Sequence, residues 1–243
     1  MSNTAILIPA RLQSKRLPRK LLLPLGSTTV IGQCILSIRR AVPSIPIIVA
    51  SGDEDILEEA KRHTVSICKT PNEFTCGSDR IAYVAQHRSE KFLINIQADE
   101  VMVNPKTIQH LVRTRQRSTA DIVSVYYSIQ NEEERLRSSV VKVVLDNNNR
   151  ALYFSRAAIP YLRHPEKSVP GYAHIGMYAY TKNALLRFSQ LEPGSLENQE
   201  GLEQLRALEN GMSIEMISSP EPTISIDTPE EYLRAQSRFN NEN

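Results

Sequence analysis

Two acidic positions and one basic stretch carry the chemistry that can be read from this sequence. Gln97-Ala98-Asp99-Glu100 follows directly on the apolar run Phe92-Leu93-Ile94-Asn95-Ile96. Carboxylates at the carboxyl end of a buried strand are costly unless they hold a cation or pair with a base, and a metal carboxylate is the economical reading of Asp99. Mg²⁺ takes one or two protein carboxylates together with phosphate oxygens, so Asp99 needs a second oxygen donor from elsewhere in the chain. Asp227, in Ile224-Ser225-Ile226-Asp227-Thr228-Pro229, follows another short β-like run and is the natural partner. Its structural alternative is a helix N-cap before Pro229-Glu230-Glu231, with proline in the first turn, and both roles are compatible.

The basic stretch runs from Arg11 to Lys20 and holds five cations, Arg11, Lys15, Arg16, Arg19 and Lys20, without the apolar spacing of an amphipathic helix. A loop of this kind expects an anion. In an open α/β sheet the loop after the first strand is a usual seat for a nucleotide's phosphates. The alternatives are a solvated basic surface or a nucleic-acid patch.

These residues need elements to hold them. Ala5-Ile6-Leu7-Ile8 reads as a buried parallel strand that stops at Pro9, which has no N–H for a central ladder. Val30 to Ala41 carries a helical apolar stripe, Ile45 to Ala50 reads as a second strand, and Gly52-Asp53-Glu54-Asp55 caps a helix reaching about Arg62. Thr64 to Cys68 is a third strand, so right-handed crossovers and a Rossmann-like, mostly parallel sheet flanked by helices follow. No G-x-G-x-x-G is present, which argues against a dinucleotide. Thr75 to Arg80 is a small-residue turn feeding a helix, either an anion-binding N-terminus or a simple cap by Ser78 or Asp79. From Asp121 the pattern turns β-rich, in the runs Asp121–Ile129, Ser139–Asp146 and Arg150–Arg156, which implies an antiparallel extension over residues 121–195.

Composition bounds the partners. At 243 residues, 41% hydrophobic, the chain suits a single α/β domain over residues 1–243, and a net charge of +2 is too slight for a dedicated nucleic-acid binder. The expected partner is small and anionic. Cys34, Cys68 and Cys76 form no metal-ligand spacing and no even set, which suits a reducing compartment. With no signal peptide and no apolar run long enough for a bilayer, a cytoplasmic location and no membrane partner are expected.

The motifs also carry a resemblance. Ile8-Pro9-Ala10-Arg11-x-x-Ser14-x-Arg16-Leu17-Pro18-x-Lys20 resembles the opening signature of the 3-deoxy-manno-octulosonate (Kdo) cytidylyltransferases, of the nucleotide-diphospho-sugar transferase type. Cys76 to Arg80 matches that family's Ser-Gly-Thr-Glu-Arg segment, Gln97 to Val101 its Gln-Gly-Asp-Glu-Pro, and Ile226 to Pro229 its Val-Asp-Thr-Pro. The longest matches lie at Val140–Asp146, Ala151–Arg156, His174–Tyr180 and Leu196–Leu208. The chain departs from the pattern at Arg19 and Ala98, where the family has glycine, at Val101, where it has proline, and at Gly26–Val30, where it has Gly-Lys-Pro-Met.

The resemblance implies attack by the anomeric hydroxyl of Kdo on the α-phosphorus of CTP, with Mg²⁺ on Asp99 and Asp227. It implies that Arg11, Lys20 and Asp99 serve catalysis, and that Pro9, Ala10, Arg11, Ser14, Arg16, Lys20, Gly77, Ser78, Arg80 and Gln97 hold the nucleotide. Arg156, Arg163, His174, Tyr178, Glu203 and Gln204 would bind the sugar, since guanidinium forks suit its carboxylate and the other groups suit its hydroxyls. Each has a plainer role open to it: Glu203 and Arg206 as a helix surface pair, Tyr178 in the core, His174 as a satisfied strand residue. A homodimer through the β-rich region and a product used in lipopolysaccharide or capsule synthesis are implied as well. A CMP-sialate-type synthetase and a catalytically weakened nucleotide-binding homologue are the competing readings.

Overall fold

The computed structural model describes residues 3–14, 16–74, 76–164 and 171–241. Strand β1 (Thr4–Pro9) is buried along its whole length, as an apolar run flanked on both sides by parallel neighbours must be. A small hairpin, β2 (Pro24–Leu25) and β3 (Thr28–Thr29), leads into helix α1 (Val30–Ala41), whose start is capped by the Thr29 hydroxyl accepting from Gly32 N at 3.1 Å. Then come β4 (Ile47–Ser51), α2 (Glu54–Arg62), β5 (Ser66–Lys69), α3 (Gly77–Gln86), β6 (Phe92–Ile96) and α4 (Pro105–Arg117). The later chain forms β7 (Ile122–Ser128), α5 (Glu132–Leu136), β8 (Lys142–Leu145), β9 (Ala151–Ser155) and β10 (Tyr172–Thr181). It closes with α6 (Lys182–Phe188), α7 (Ser195–Glu200), α8 (Gln204–Glu209), β11 (Ile214–Ser218) and α9 (Pro229–Asn241).

The chain divides into two compact units, Met1–Gln109 with Thr223–Asn243, and His110–Pro222. In the first, the strands run β6-β1-β4-β5, all parallel, with Ile6 opposite both Ile47 and Ile94. This is the Rossmann-like half that the sequence predicts. A boundary and a cap differ from that reading. The third strand begins at Ser66 because Thr64 adopts a left-handed φ of 55° and still belongs to the turn. Asp53 stands at the N-cap of α2, but its carboxylate accepts from Leu12 N at 2.7 Å and so ties down the basic loop instead.

In the second unit β10 pairs antiparallel with β7 and β8, and β8 with β9. The antiparallel extension is therefore present, though β11 joins β7 in parallel, a return the sequence does not announce. Lys142 is fully buried, and its ammonium donates to the carbonyls of Arg137, Val140 and Arg156 at 2.8, 2.5 and 2.7 Å. A buried lysine is tolerable when its donors are satisfied in this way, and burial still lowers its pKa.

Candidate active site

The basic loop leaves β1 at Pro9 and Ala10 and turns back through Leu17–Lys20. Arg11 is exposed and Ser14 half-buried in it, while Lys15 lies outside the described residues. Arg19 takes a left-handed conformation, φ 54°, and its guanidinium pairs with Asp55 at 2.7 Å. That backbone is the one glycine favours, which gives a physical reason for the glycine in the resembling family. Ala98 is not among the described residues with positive φ, so its methyl meets no such strain.

Lys20 does not extend to open solvent. Its ammonium bonds the Asp99 carboxylate and, at 2.7 Å, Asp227 Oδ1, while Arg16 reaches Asp227 Oδ2 at 2.9 Å. Asp99 and Asp227, 128 positions apart in sequence, thus converge on one cation. Burial opposes the charge on Lys20, but the two carboxylates hold its pKa above the ordinary lysine value. Burial likewise works against Asp227, yet hydrogen bonding and charge from Lys20, with Arg16 behind, hold its carboxyl below the usual range.

The backbone beneath these carboxylates is stitched. Val101 N donates to Ile224 O at 3.0 Å, Ile226 N donates to Asp99 O at 3.2 Å, and Glu100 bridges Ser225. A proline at position 101 would lack the first of these bonds. Asp227 is not the cap of α9. Thr228 is, with its hydroxyl accepting from Glu231 N at 3.3 Å and the Glu231 carboxylate accepting from Thr228 N at 2.9 Å, a capping box that leaves the Asp227 carboxylate for the cations.

The donor set suits a hard divalent cation. Two carboxylates face one positive group, and buried Glu100 beside them keeps one oxygen, Oε2, without a hydrogen-bond partner. Burial, and then the charge on Asp99, raises the Glu100 pKa to about 7. No group of three or more His, Cys, Asp or Glu side chains gathers among the described residues. An ion here would have two protein carboxylates and leave its other positions to water or phosphate.

Helix α3 starts at Gly77. A side chain there would come 3.2 Å from the Pro9 ring and 3.4 Å from the Gln97 amide, so the glycine lets the helix N-terminus close on the end of β1. The capping atom is Cys76 Sγ, which accepts from Asp79 N at 3.3 Å; neither Ser78 nor Asp79 caps. Ser78 is buried. Arg80, expected at the nucleotide, is buried: its guanidinium bonds Thr70 Oγ1 and Pro71 O and lies over Phe74, anchoring residues 70–74. Gln97 is half-buried, its amide donating to Asn95 Oδ1 at 3.4 Å.

Within the second unit, His174, Tyr178 and Gln204 form a connected group. Tyr178 donates to Gln204 Oε1 at 3.2 Å, Gln204 Nε2 lies 3.5 Å from His174 Nδ1, and the imidazole packs edge-on against Phe154 with ring centroids 5.0 Å apart. Burial drives the His174 pKa down to about 3, so the ring is neutral, and burial raises that of Tyr178, helped by the charge on Glu203. Arg206 makes a bidentate pair with Glu197, both bonds at 2.7 Å, and lies over Phe188.

Two of the expected sugar residues stand apart from this group. Arg156 spends its guanidinium on the carbonyls of Glu200, Ser138 and Gly201, at 2.7, 3.1 and 3.4 Å, and so fastens the α7–α8 turn. Arg163 is exposed on the loop after the cis Ile159–Pro160 bond, and among the described residues it makes no bond to the cluster. Of the stretch from Arg163 to Tyr172, residues 165–170 lie outside the described residues. Sequence reasoning missed Ser124, whose hydroxyl lies 2.9 Å from His174 Nε2. A small hydroxyl residue between Val123 and Val125, in the apolar first half of the strand, was the available signal.

A family profile described as cytidylyltransferase matches residues 5–214. The 3-deoxy-manno-octulosonate cytidylyltransferase of Acidobacterium capsulatum is 37% identical over 233 residues, covering 96% of this chain and 94% of that protein. The enzyme of the same description from Elusimicrobium minutum is 36% identical over 245 residues, covering 99% and 100%. A solved structure of CMP:2-keto-3-deoxy-manno-octonic acid synthetase complexed with CTP superposes with a TM-score of 0.93 at 30% identity over the whole of both chains. A putative glucose-1-phosphate thymidylyltransferase from Bacillus anthracis, with a TM-score of 0.68 at 14% identity over 99% of this chain and 96% of that one, shares the fold.

Proposed function

Because the chain belongs to the 3-deoxy-manno-octulosonate cytidylyltransferase family, we propose that it joins CTP to Kdo, or to a closely related 3-deoxy-2-keto sugar acid, giving the CMP-sugar and pyrophosphate. The observation that carries this reading is the meeting of Asp99 and Asp227 on one ammonium beside the basic loop. Arg11, Arg16 and Lys20 bring positive charge to a triphosphate, and the small-residue start of α3, with Gln97 and Pro9, holds the nucleotide. Asp99 and Asp227 would hold magnesium, which when bound neutralises phosphate charge and lowers the pKa of the sugar hydroxyl. Lys20 and Arg16, now matched by the two aspartates, then serve the phosphates as the pyrophosphate leaves.

His174, Tyr178, Glu203 and Gln204 bind the hydroxyls of the sugar, and the exposed Arg163 is the guanidinium assigned to its carboxylate. Arg156 braces the α7–α8 turn through three of its five N–H donors and keeps the other two for the sugar. No histidine base is assigned, since neutral His174 hydrogen-bonds at both ring nitrogens. We further propose a homodimer acting in the cytoplasm and supplying lipopolysaccharide or capsule synthesis. No helix among the described residues is long and apolar enough to cross a membrane, which is consistent with that setting.

The test is pyrophosphate release from CTP and Mg²⁺ with a panel of keto-sugar acids. Release is expected with Kdo or a close analogue. Release with a nonulosonic acid alone would install the sialate-type reading, and tight CTP binding without turnover on any acid would leave only a nucleotide-binding homologue.

A further inference from the structure

Strands β10 and β7 slip register at one place. Ile175 lies opposite Val125 and Tyr178 opposite Ser124, so Gly176 and Met177 have no partners on β7. A bulge of this kind takes backbone groups out of the ladder and re-aims the side chains beside it. Met177 is fully buried, and its carbonyl is met by the hydroxyl of Ser124, which donates to it at 2.8 Å and is itself fully buried. A serine hydroxyl has one proton, and here the Met177 carbonyl takes it.

That single fact orders the side chains around it. With its proton engaged, Ser124 Oγ offers only lone pairs to His174 Nε2 at 2.9 Å, so Nε2 must carry the imidazole proton. Nδ1 is then an acceptor, and the Gln204 amide nitrogen, 3.5 Å away, is its donor. Fixing that nitrogen turns the other end of the amide, Oε1, toward the Tyr178 hydroxyl at 3.2 Å. Every polar atom in the series, from Tyr178 to Met177, thereby has one direction of donation.

We propose that Ser124 is a positioning residue: by engaging the bulge carbonyl of Met177 it fixes the tautomer of His174 and so sets which donors and acceptors Gln204 and Tyr178 offer to the sugar. This rests on the reading of those residues as the sugar site. In the arrangement described, Tyr178 keeps an oxygen lone pair and Gln204 a second amide proton. The complementary ligand is a hydroxyl that donates to the first or accepts from the second. Without the Ser124 hydroxyl the imidazole can take its other tautomer, and the Gln204 amide can flip with it.

Two measurements test the proposal. In ¹⁵N-histidine-labelled protein without substrate, His174 should show a protonated Nε2 and an unprotonated Nδ1, and Ser124→Ala should shift the ring toward the opposite tautomer. In steady-state assays Ser124→Ala should raise KM for the keto-sugar acid about tenfold, the worth of one hydrogen bond, with kcat and KM for CTP nearly unchanged, and Ser124→Thr, which keeps the hydroxyl, should restore it. A wild-type His174 protonated on Nδ1 would overturn the proposal whatever the fate of the alanine variant. An unchanged sugar KM in a folded Ser124→Ala enzyme would overturn it too. The expected tautomer in a protein that turns over no keto-sugar acid would uphold the role of Ser124 on His174 while removing the sugar reading on which the rest depends.

Discussion

Around Asp99 the side chains are charged and offset one another: an ammonium and a guanidinium against two carboxylates. Around His174 they are neutral and linked head to tail, with hydroxyl, imidazole, amide and phenol each donating once along the series. Coulomb attraction has little directional demand, so one cation there can give way to another. A neutral hydrogen bond depends on orientation, and changing one member re-aims the rest. The first region can thus exchange partners with a multiply charged ligand, and the second can discriminate among hydroxyls.

The difference is broken most severely by removing charge from the first region. Asp99→Asn should lower pyrophosphate release by about 10³-fold while the far-ultraviolet dichroism stays that of the wild type. Full activity in that variant would detach the carboxylate from the chemistry. Lys20→Met should lower stability by about 2 kcal/mol, less than the roughly 3–5 kcal/mol of a wholly buried pair because Asp227 is 41% exposed. Added Mg²⁺ should recover the melting temperature, by replacing one cation with another between the same carboxylates. A variant indifferent to Mg²⁺ would count against that exchange.

Acid sharpens the contrast from the other side. His174 is held at a pKa of about 3 in the folded protein against an ordinary value of 6.5, so below about pH 6.5 the unfolded chain binds a proton that the native one refuses. Its contribution must therefore erode stability as pH falls from 6.5 toward 3, and His174→Gln should flatten denaturation midpoints across that window. The smallest effect belongs to the loop backbone. Arg19→Gly should gain about 1 kcal/mol by relieving the left-handed conformation, less a few tenths for the exposed pair with Asp55, as read by urea unfolding.

Much of this was legible in order along the chain. The apolar runs at Ala5–Ile8 and Phe92–Ile96 and the stripe from Val30 to Ala41 locate the parallel strands and the first helix, because burial on both faces or on one leaves a plain periodic mark. The pairing of Asp99 with Asp227 was legible too, since each carboxylate follows a β-like run. What the sequence did not reveal was the local bonding of the long cations. Arg80 bonds Thr70 and Pro71 through Nη1 and Arg156 bonds loop carbonyls, and sequence spacing does not show which acceptors tertiary contacts will supply. Caps failed for a related reason. Cys76 took the place of Ser78 or Asp79, and Thr228 with Glu231 took that of Asp227, because several neighbouring side chains could each reach the same N–H groups. Ser124 was hidden by its surroundings, as its role follows from a bulge in the opposite strand.

The stitching of Asp99–Val101 to Ile224–Ile226 has a consequence for the order in which the molecule is made. The segment that delivers Asp227 leaves the ribosome 128 positions after Asp99, yet it belongs to the same compact unit as the first strand. A nascent chain released before residue 223 would carry the basic loop, the parallel strands and one aspartate, but never the pair. The acidic couple on which the proposed nucleotide chemistry rests is thus assembled only after the whole intervening unit, His110–Pro222, has been synthesised.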